Sequence, residues 1–424
     1  VAKMQGSTSA TVGQGVVFDA GSSLTVSASE LAANTVKTKS TASGGGALAG
    51  VNAGLSWSQN DATVNASIGD DTLLPDGGVA LHATHRGTQS ADTFGITVGG
   101  VLAVGANTAN ALTNASSSVV LGNVKTQASR LGDLDVAAAG EDTTTAKAVA
   151  GGGGLVSGQA ATALADDNTQ TSVVVSAAGA KAQGNAADYT LRGGALTFDA
   201  THFGTLRADS DTVNASAVGA SGATTLATAD NSASTTIGDG VRLRGLGIGI
   251  TTTNRALEPL DGDNASGAGG GVANGSAVVS KTHFTTQSSV KVGDSTTLDV
   301  IGDPSSDSVG RLVMVAKTDL LTHTQGSLNT GGLIDIPYAE IESKTDGHNS
   351  VEVGSSAQLR SAGDIIIGTG TFNRTEADTL VKTYGGVGIT GGKSLAESQQ
   401  TDSIKVGASS VLKAYGDIAI NTGR

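Results

Sequence analysis

Apolar residues alternate with polar or small ones over short spans of this chain. From Val353 to Ile367 the positions expected to face the interior are Val353, Leu359, Ser361, Ile365 and Ile367. Gly-Asp or Ser-Ser pairs interrupt this alternation. A period of two predicts β-strands, and the interrupting pairs predict turns. Spacings of three and four residues are not sustained, and 62 glycines disfavour long helices. The pattern predicts an all-β protein.

One phrase of this pattern repeats. The residues from Val353 to Gly370 align without a gap with those from Val406 to Gly423. Weaker copies begin at Val12-Gly13, Ile68-Gly69, Leu121-Gly122, Ile237-Gly238 and Val292-Gly293, with a degenerate copy at Val173-Val174-Val175. The chain therefore holds about eight imperfect units of roughly 53 to 62 residues.

Repeated units in register predict an elongated parallel β-helix, or β-solenoid, in which like side chains stack about 4.8 Å apart. We expect residues 1–424 to form a single continuous solenoid segment, with loop insertions near 70–78, 258–264 and 303–308. A unit is longer than a coil of the usual size, so two or three coils per unit are expected. About twenty such coils would make a rod of roughly 100 Å.

The composition predicts a thin core and excludes several functions. Aromatic residues are 3% of the chain, and glycine and small polar residues dominate. The net charge is −13 without a basic stripe, which disfavours nucleic acid and anionic membranes as partners. The absence of cysteine excludes disulfides and thiolate metal sites. The first residues resemble neither an initiator segment nor a signal peptide, so the chain is expected to be a fragment of a larger protein.

The phrase Val-Gly-x-x-x-x-Leu-x-Ala-x-Gly-Asp-Ile-x-Ile, at 353–367 and 406–420, resembles the repeats of large filamentous haemagglutinin-type adhesins of Gram-negative bacteria. The resemblance lies in the style of the repeat and extends over nearly the whole chain. It implies export by two-partner secretion or an autotransporter-like route, a place on the cell surface, and a role in attachment, aggregation or biofilm cohesion. It also implies an outer-membrane secretion or anchoring partner outside this segment.

Candidate catalytic and metal-binding residues are weighed against structural roles. Asp364 and Asp417 follow the repeat and are expected to bond local backbone amides in turns. His85, His202 and His323 each follow a threonine, and His82 lies three residues from His85. One histidine per unit cannot gather three metal ligands unless adjacent units align, and nearby acids are not evident. No catalytic, cofactor-binding or metal-binding residue is predicted.

Other motifs carry weaker signals. Asp261-Gly262-Asp263-Asn264 resembles half of a calcium loop but lacks the terminal glutamate. Gly151 to Gly154 is not followed by Gly-Lys-Ser/Thr, which favours a turn over a phosphate cradle. Trp57 would either stack on a sugar or fill a wide coil. The sequons at Asn65 and Asn214 reflect composition.

The leading hypothesis is a structural and adhesive shaft of a secreted bacterial surface adhesin, without enzymatic activity. Its expected partners are extracellular polysaccharide or cell-surface glycans, with homotypic or lateral self-association. A β-helical polysaccharide-degrading enzyme is the first alternative. A self-assembling extracellular filament or surface-layer subunit is the second.

Overall fold

The computed structural model describes residues 1–19, 21–30, 34–126, 132–176, 190–259, 263–302 and 310–423. Within these ranges the protein is all-β and contains no helix, as the alternation predicts. Every strand pairing in these ranges is parallel. The described part of the chain offers no helix that could cross a membrane.

The strands, in chain order, are β1 Ala2–Val12, β2 Leu24–Ser29, β3 Asn34–Gly46, β4 Ala49–Ile68, β5 Leu73–Leu74, β6 Val79–Gly99, β7 Leu102–Thr113, β8 Ser116–Leu121, β9 Lys125–Thr126, β10 Leu134–Asp167, β11 Gln170–Val175, β12 Thr190–Arg192, β13 Ala195–Ile237, β14 Arg242–Gly245, β15 Gly247–Leu257, β16 Asp263–Val292, β17 Thr297–Val300, β18 Leu312–Val353, β19 Gln358–Ser361, β20 Ile365–Gly388, β21 Gly391–Val406, β22 Val411–Ala414 and β23 Ile418–Gly423.

Each unit forms one circuit with two long walls and one short wall. The outgoing wall runs to a glycine cluster, where the chain reverses into the return wall. Short strands such as β14, β17, β19 and β22 then make the third wall. At the reversal a Cβ on Gly99 would lie 1.9 Å from the carbonyl oxygen of Leu102, so only glycine permits this approach. The glycine clusters of the sequence, including 151–154, are these reversals.

The repeat predicted from the sequence sets the pairing register. Val175 of the degenerate copy pairs with Leu121 on one side and Ile237 on the other, which confirms that copy. The same column contains Val12, Ile68, Leu121, Val175, Ile237, Val292, Val353 and Val406.

The expectation of two or three coils per unit is wrong. Ala2 pairs with Ser58, and Leu134 pairs with Leu196, so partners are a whole unit apart. Several coils in one unit would place partners about 20 to 30 residues apart. Within the described residues, the long strands reverse at the glycine clusters, and a unit closes into one circuit. The eight paired positions from Val12 to Val406 therefore stack over roughly 40 Å, and the 100 Å length is wrong too.

The two long walls face each other across a thin interior. Thr93 Oγ1 donates to the carbonyl oxygen of Thr108 at 2.8 Å, and Ser117 Oγ to that of Ala139 at 2.9 Å. Near the short wall the interior is filled by Val, Leu and Ile, and farther out mainly by alanine. The close approach of the walls favours small side chains, with a few larger ones such as Phe198 and Phe284, and this agrees with the low aromatic content.

The predicted loop insertions need one correction. Residues 70–78 contain β5, which pairs with β9, and Leu74 is fully buried, so this segment belongs to the short wall. Residues 303–308 lie outside the described residues, as do residues 260–262 of the segment 258–264.

Candidate functional site

A cluster of charged side chains lies inside the fold, between the apolar and the alanine-rich parts of the interior. His85 on β6 and His202 on β13 flank Gly140 of β10 in one column of paired residues. Asp142 lies two residues after Gly140 and therefore points to the same interior. Asp167, at the end of β10, reaches the cluster from the return wall. We call Asp142, Asp167 and His202 the buried triad.

Short contacts join the cluster into a chain. His85 Nδ1 lies 2.5 Å from Glu30 Oε2, and His85 Nε2 lies 2.9 Å from Asp142 Oδ1. The other oxygen of Asp142 lies 3.6 Å from His202 Nε2, which is 3.7 Å from Asp167 Oδ2. These last two distances exceed a hydrogen bond. His202 Nε2 has no hydrogen-bond partner among the described residues.

The orientation of His202 is set by an amide. Asn254 Nδ2 donates to the carbonyl oxygens of Asn231 at 2.8 Å and Gln287 at 3.2 Å. Carbonyl oxygens only accept hydrogen bonds, so the atom of Asn254 that faces them must be the NH₂ group. The other amide atom, Oδ1, therefore faces His202 Nδ1, at 3.2 Å. Nδ1 must then carry the proton. Neutral His202 would point a bare Nε2 lone pair at the two aspartates.

Glycines in the neighbouring rows make room for these side chains. A Cβ on Gly204 would lie 2.5 Å from Asp167 Oδ2, and one on Gly140 would lie 3.1 Å from His202 Cδ2. Real Cβ atoms essentially never approach to 2.5 Å, and 3.1 Å is tighter than most, so a larger residue at either position would push against the cluster.

Burial and mutual charge shift the titration of the cluster. Burial raises the pKa of Asp167 to about 6. Burial also favours neutral Asp142, but His202 and His85 outweigh it and hold the pKa of Asp142 below its ordinary value. Burial opposes charge on the histidines, yet the facing carboxylates raise the pKa of both His85 and His202. The cluster therefore favours a positive charge between its carboxylates.

The arrangement is suited to holding a proton or a cation. One ligand atom from each triad residue lies within 4.8 Å of the others, and all three side chains are buried. A polymer chain cannot reach these groups, so the cluster does not offer the exposed carboxylate pair of a glycosidase.

Sequence reasoning identified the two histidines but missed their acids. The expectation that acids are absent nearby is wrong, because Glu30, Asp142 and Asp167 come from other parts of the repeat. Only the stacking of circuits brings them together. The alignment of the two histidines in one column was a readable signal, and the acids follow no motif.

The other histidines lie apart from the cluster. His82 contacts Asp135 Oδ2 at 2.9 Å on the outer face. His323 Nε2 lies 3.1 Å from Asp378 Oδ2 and 3.8 Å from Glu376 Oε2. These are surface pairs of the kind that contributes little to stability.

Asp364 lies at a bend, as predicted, but its partner is not local. Its Oδ1 accepts from the backbone amide of Asp417 at 3.0 Å, one circuit further along. Asp294 accepts in the same way from the amide of Ser355 at 2.7 Å. The equivalent amide of the next circuit is about as near as a local one, because circuits stack at about 4.8 Å. These aspartates therefore join adjacent circuits.

The structure also places Trp57, the two sequons and part of the calcium-like motif. Trp57 lies on the outer face and is 37% exposed, so it does not fill the interior. Asn65 is exposed on β4, whereas Asn214 is buried. Asp261 and Gly262 of the calcium-like motif lie outside the described residues, and Asp263-Asn264 begin β16.

Comparisons with protein-family models, curated proteins and solved structures found no match to this chain.

Proposed function

We propose that this chain is a segment of a parallel β-solenoid that serves as a structural and adhesive shaft of a secreted bacterial surface protein. The observation that carries the proposal is the register: each circuit pairs in parallel with the circuits before and after it. Such nearest-neighbour stacking has no inherent limit in length. It suits a protein part whose task is to span distance and to present a surface.

Electron microscopy of the purified chain and of its parent protein tests the shaft. We expect the chain to be a slab about 40 Å high along the stack and roughly 65 Å or more across its long walls. The parent should continue it as a filament of the same cross-section. A compact body with a deep groove would contradict the shaft and favour the polysaccharide-degrading alternative.

Lateral self-association is a second candidate, and an exposed apolar row favours it. Leu48, Val101, Leu155, Val272 and Leu333 stand at the tip of the reversal in five circuits. We call them the apolar ridge. Leu48 is 74% exposed, and Leu333 is 63% exposed. The smaller, half-exposed Ala217 lies between Leu155 and Val272 in this row. An exposed apolar row in this many circuits is typical of a contact surface.

Sedimentation velocity over a range of concentrations tests the ridge. We expect the wild-type chain to associate as concentration rises and the double variant Leu155→Asp/Leu333→Asp to remain monomeric. Tyr415→Asp changes an exposed aromatic residue outside the ridge and should behave as wild type. Association that is equal in the ridge variant, or absent from the wild type, would contradict this role.

A further inference from the structure

We propose that Asp142, Asp167 and His202 bind one divalent transition-metal ion of the Zn²⁺ class, as a closed structural site that joins two consecutive circuits. Asp142 and Asp167 lie on β10, and His202 lies on the next circuit, in β13. The proposal does not depend on the adhesive role, since it concerns how the circuits are held together.

The separations of the ligand atoms fit a metal ion better than hydrogen bonds. His202 Nε2 lies 3.6 Å from Asp142 Oδ2 and 3.7 Å from Asp167 Oδ2. Two atoms at such a separation can both lie about 2.1 Å from one ion, which is the usual length of Zn–N and Zn–O bonds. A direct N–H···O contact would be about 2.8 Å.

The lone pair of His202 points independently to a ligand. Its Nε2 is fully buried and has no hydrogen-bond partner in the described ranges. The contact with Asn254 fixes the proton on Nδ1. An Nδ1–H bonded to an oxygen, with Nε2 facing carboxylates, is the arrangement of a metal-ligating imidazole.

The charges balance with a divalent ion. His85 contacts Glu30 through Nδ1 and Asp142 through Nε2, and a proton on both ring nitrogens would offset one carboxylate. Two carboxylates remain in a site shielded from water. Two uncompensated negative charges in such a site are strongly unfavourable, and one divalent cation neutralises them.

The groups around the triad hold its oxygens in place. Asn231 Nδ2 donates to Asp167 Oδ2 at 3.1 Å, and His85 holds the other oxygen of Asp142. Thr169 Oγ1 lies 2.7 Å from Asp167 Oδ1 and 3.1 Å from Asp142 Oδ2, so it is a nearby additional oxygen. Such support is typical of metal sites.

The donor set favours Zn²⁺ over Ca²⁺ or Mg²⁺. Ca²⁺ takes six to eight oxygen ligands and Mg²⁺ keeps several waters, whereas imidazole with two carboxylates suits a four-coordinate transition ion. Because the site is enclosed, the ion would enter while the circuits stack during folding.

Refolding with a controlled metal supply tests the site. The whole chain is unfolded in denaturant with a chelator and refolded with either ZnCl₂ or EDTA. Metal content is measured after gel filtration, and the thermal midpoint is recorded. We expect about one Zn²⁺ per chain and a higher midpoint in the zinc sample. A folded wild-type chain with no retained zinc and an unchanged midpoint would overturn the proposal.

Matched variants locate the ion. Asp167→Asn removes one ligand charge with little change in shape, and bound zinc should fall to less than about a tenth of an ion per chain. Asp166→Asn alters the neighbouring, outward residue and should bind as wild type. Equal zinc in both variants would overturn the assignment. If Asp167→Asn fails to fold, Co²⁺ replaces Zn²⁺ in the wild type: visible d–d bands of four-coordinate cobalt support the site, and the spectrum of hexaaqua cobalt overturns it.

Discussion

At the scale of single residues, the turn after the return wall places one residue in the left-handed region of the backbone in six circuits. Gly15 and Gly240 hold this position with φ of 71° and 67°. Asp71, Ser295, Ser356 and Ser409 hold it in other circuits, with φ between 57° and 61°. A side chain in this region is strained, because its Cβ crowds the following carbonyl oxygen.

Ser356→Gly should therefore stabilise the protein. The relief of strain exceeds the entropy that glycine adds to the unfolded chain, and we expect a gain of about 0.5 kcal/mol in the free energy of unfolding. Urea unfolding measures it. Ser355→Gly, at the preceding residue without a positive φ, should lower stability instead. A loss of stability in both variants would contradict the strain argument.

Gly204→Ala should destabilise through a contact with the buried cluster. Its Cβ would lie 2.5 Å from Asp167 Oδ2 and 3.2 Å from His202 Cε1. We expect a loss of about 2 kcal/mol in the free energy of unfolding. Gly222→Ala, on the same strand with no atom within 4 Å of the added Cβ, is the control and should change stability by less than about 0.5 kcal/mol. Equal thermal midpoints for the two variants would contradict the crowding.

At the scale of elements, the short wall depends on a column of leucines. Leu191, Leu243, Leu298, Leu359 and Leu412 pair in sequence from β12 to β22. The four inner leucines are buried, and Leu412 in the last circuit is partly buried. The contribution of each leucine therefore depends on having a circuit on both sides.

Leu298→Ala should lower the free energy of unfolding by about 3 kcal/mol, because it leaves a cavity between two circuits. Leu412→Ala removes the same atoms where one side is open, and the loss should be about 1 kcal/mol. Denaturant unfolding followed by circular dichroism compares the two variants. Similar losses in the free energy of unfolding for the two variants would indicate that Leu412 is packed on both sides.

An ion cluster between β16 and β18 should make stability depend on acid. Lys344 Nζ lies 2.5 Å from Glu342 Oε1, and this contact lowers the pKa of Glu342 to about 2. Lys281 and His283 also approach Glu342, at 3.5 Å and 3.2 Å. Since the unfolded value is 4.5, the stabilisation is complete above about pH 4.5 and is lost as the pH falls toward about 2. The other charged groups nearby are Glu340, Lys393 and Glu397.

Glu342→Gln should therefore be less stable than wild type by about 1 kcal/mol at pH 6, and the difference should shrink as the pH falls from about 4.5 toward about 2. Urea midpoints across this range measure it. Glu397→Gln, which loses a longer and more exposed contact with Lys344, is the control and should show little difference at either pH. A gap between Glu342→Gln and wild type that stays constant with pH would contradict the assignment.

At the scale of the whole molecule, stability is shared between neighbouring circuits. A circuit with a neighbour on one side only has fewer hydrogen bonds and less burial, so it opens more readily. β19 is paired on both sides, by β17 and β22, whereas β22 is the end strand of the short-wall sheet.

Hydrogen exchange should therefore be faster in β22 and β23 than in β19 and the start of β20. The difference should disappear in a longer chain in which a further circuit covers this end. Mass spectrometry of peptides from both regions measures the exchange. Equal protection in the chain alone would show that the end circuit is held by another contact.

Local patterns in the sequence determined the strand class, the unit length, the turns and the thin core. The period-two alternation and the phrase shared by 353–367 and 406–420 each span few residues, so they can be read from the sequence. Because like residues stack on like, these short patterns also set the register. The degenerate copy at Val173-Val174-Val175 takes its predicted place for the same reason.

Only the tertiary structure decided the single circuit per unit and the buried cluster. The number of circuits depends on where long strands reverse, and that follows from close backbone contact at glycines such as Gly99. Asp142 and His202 lie 60 residues apart along the chain, and they meet because parallel pairing places β10 against β13. No local pattern contains such a contact, since its geometry exists only after the circuits have stacked.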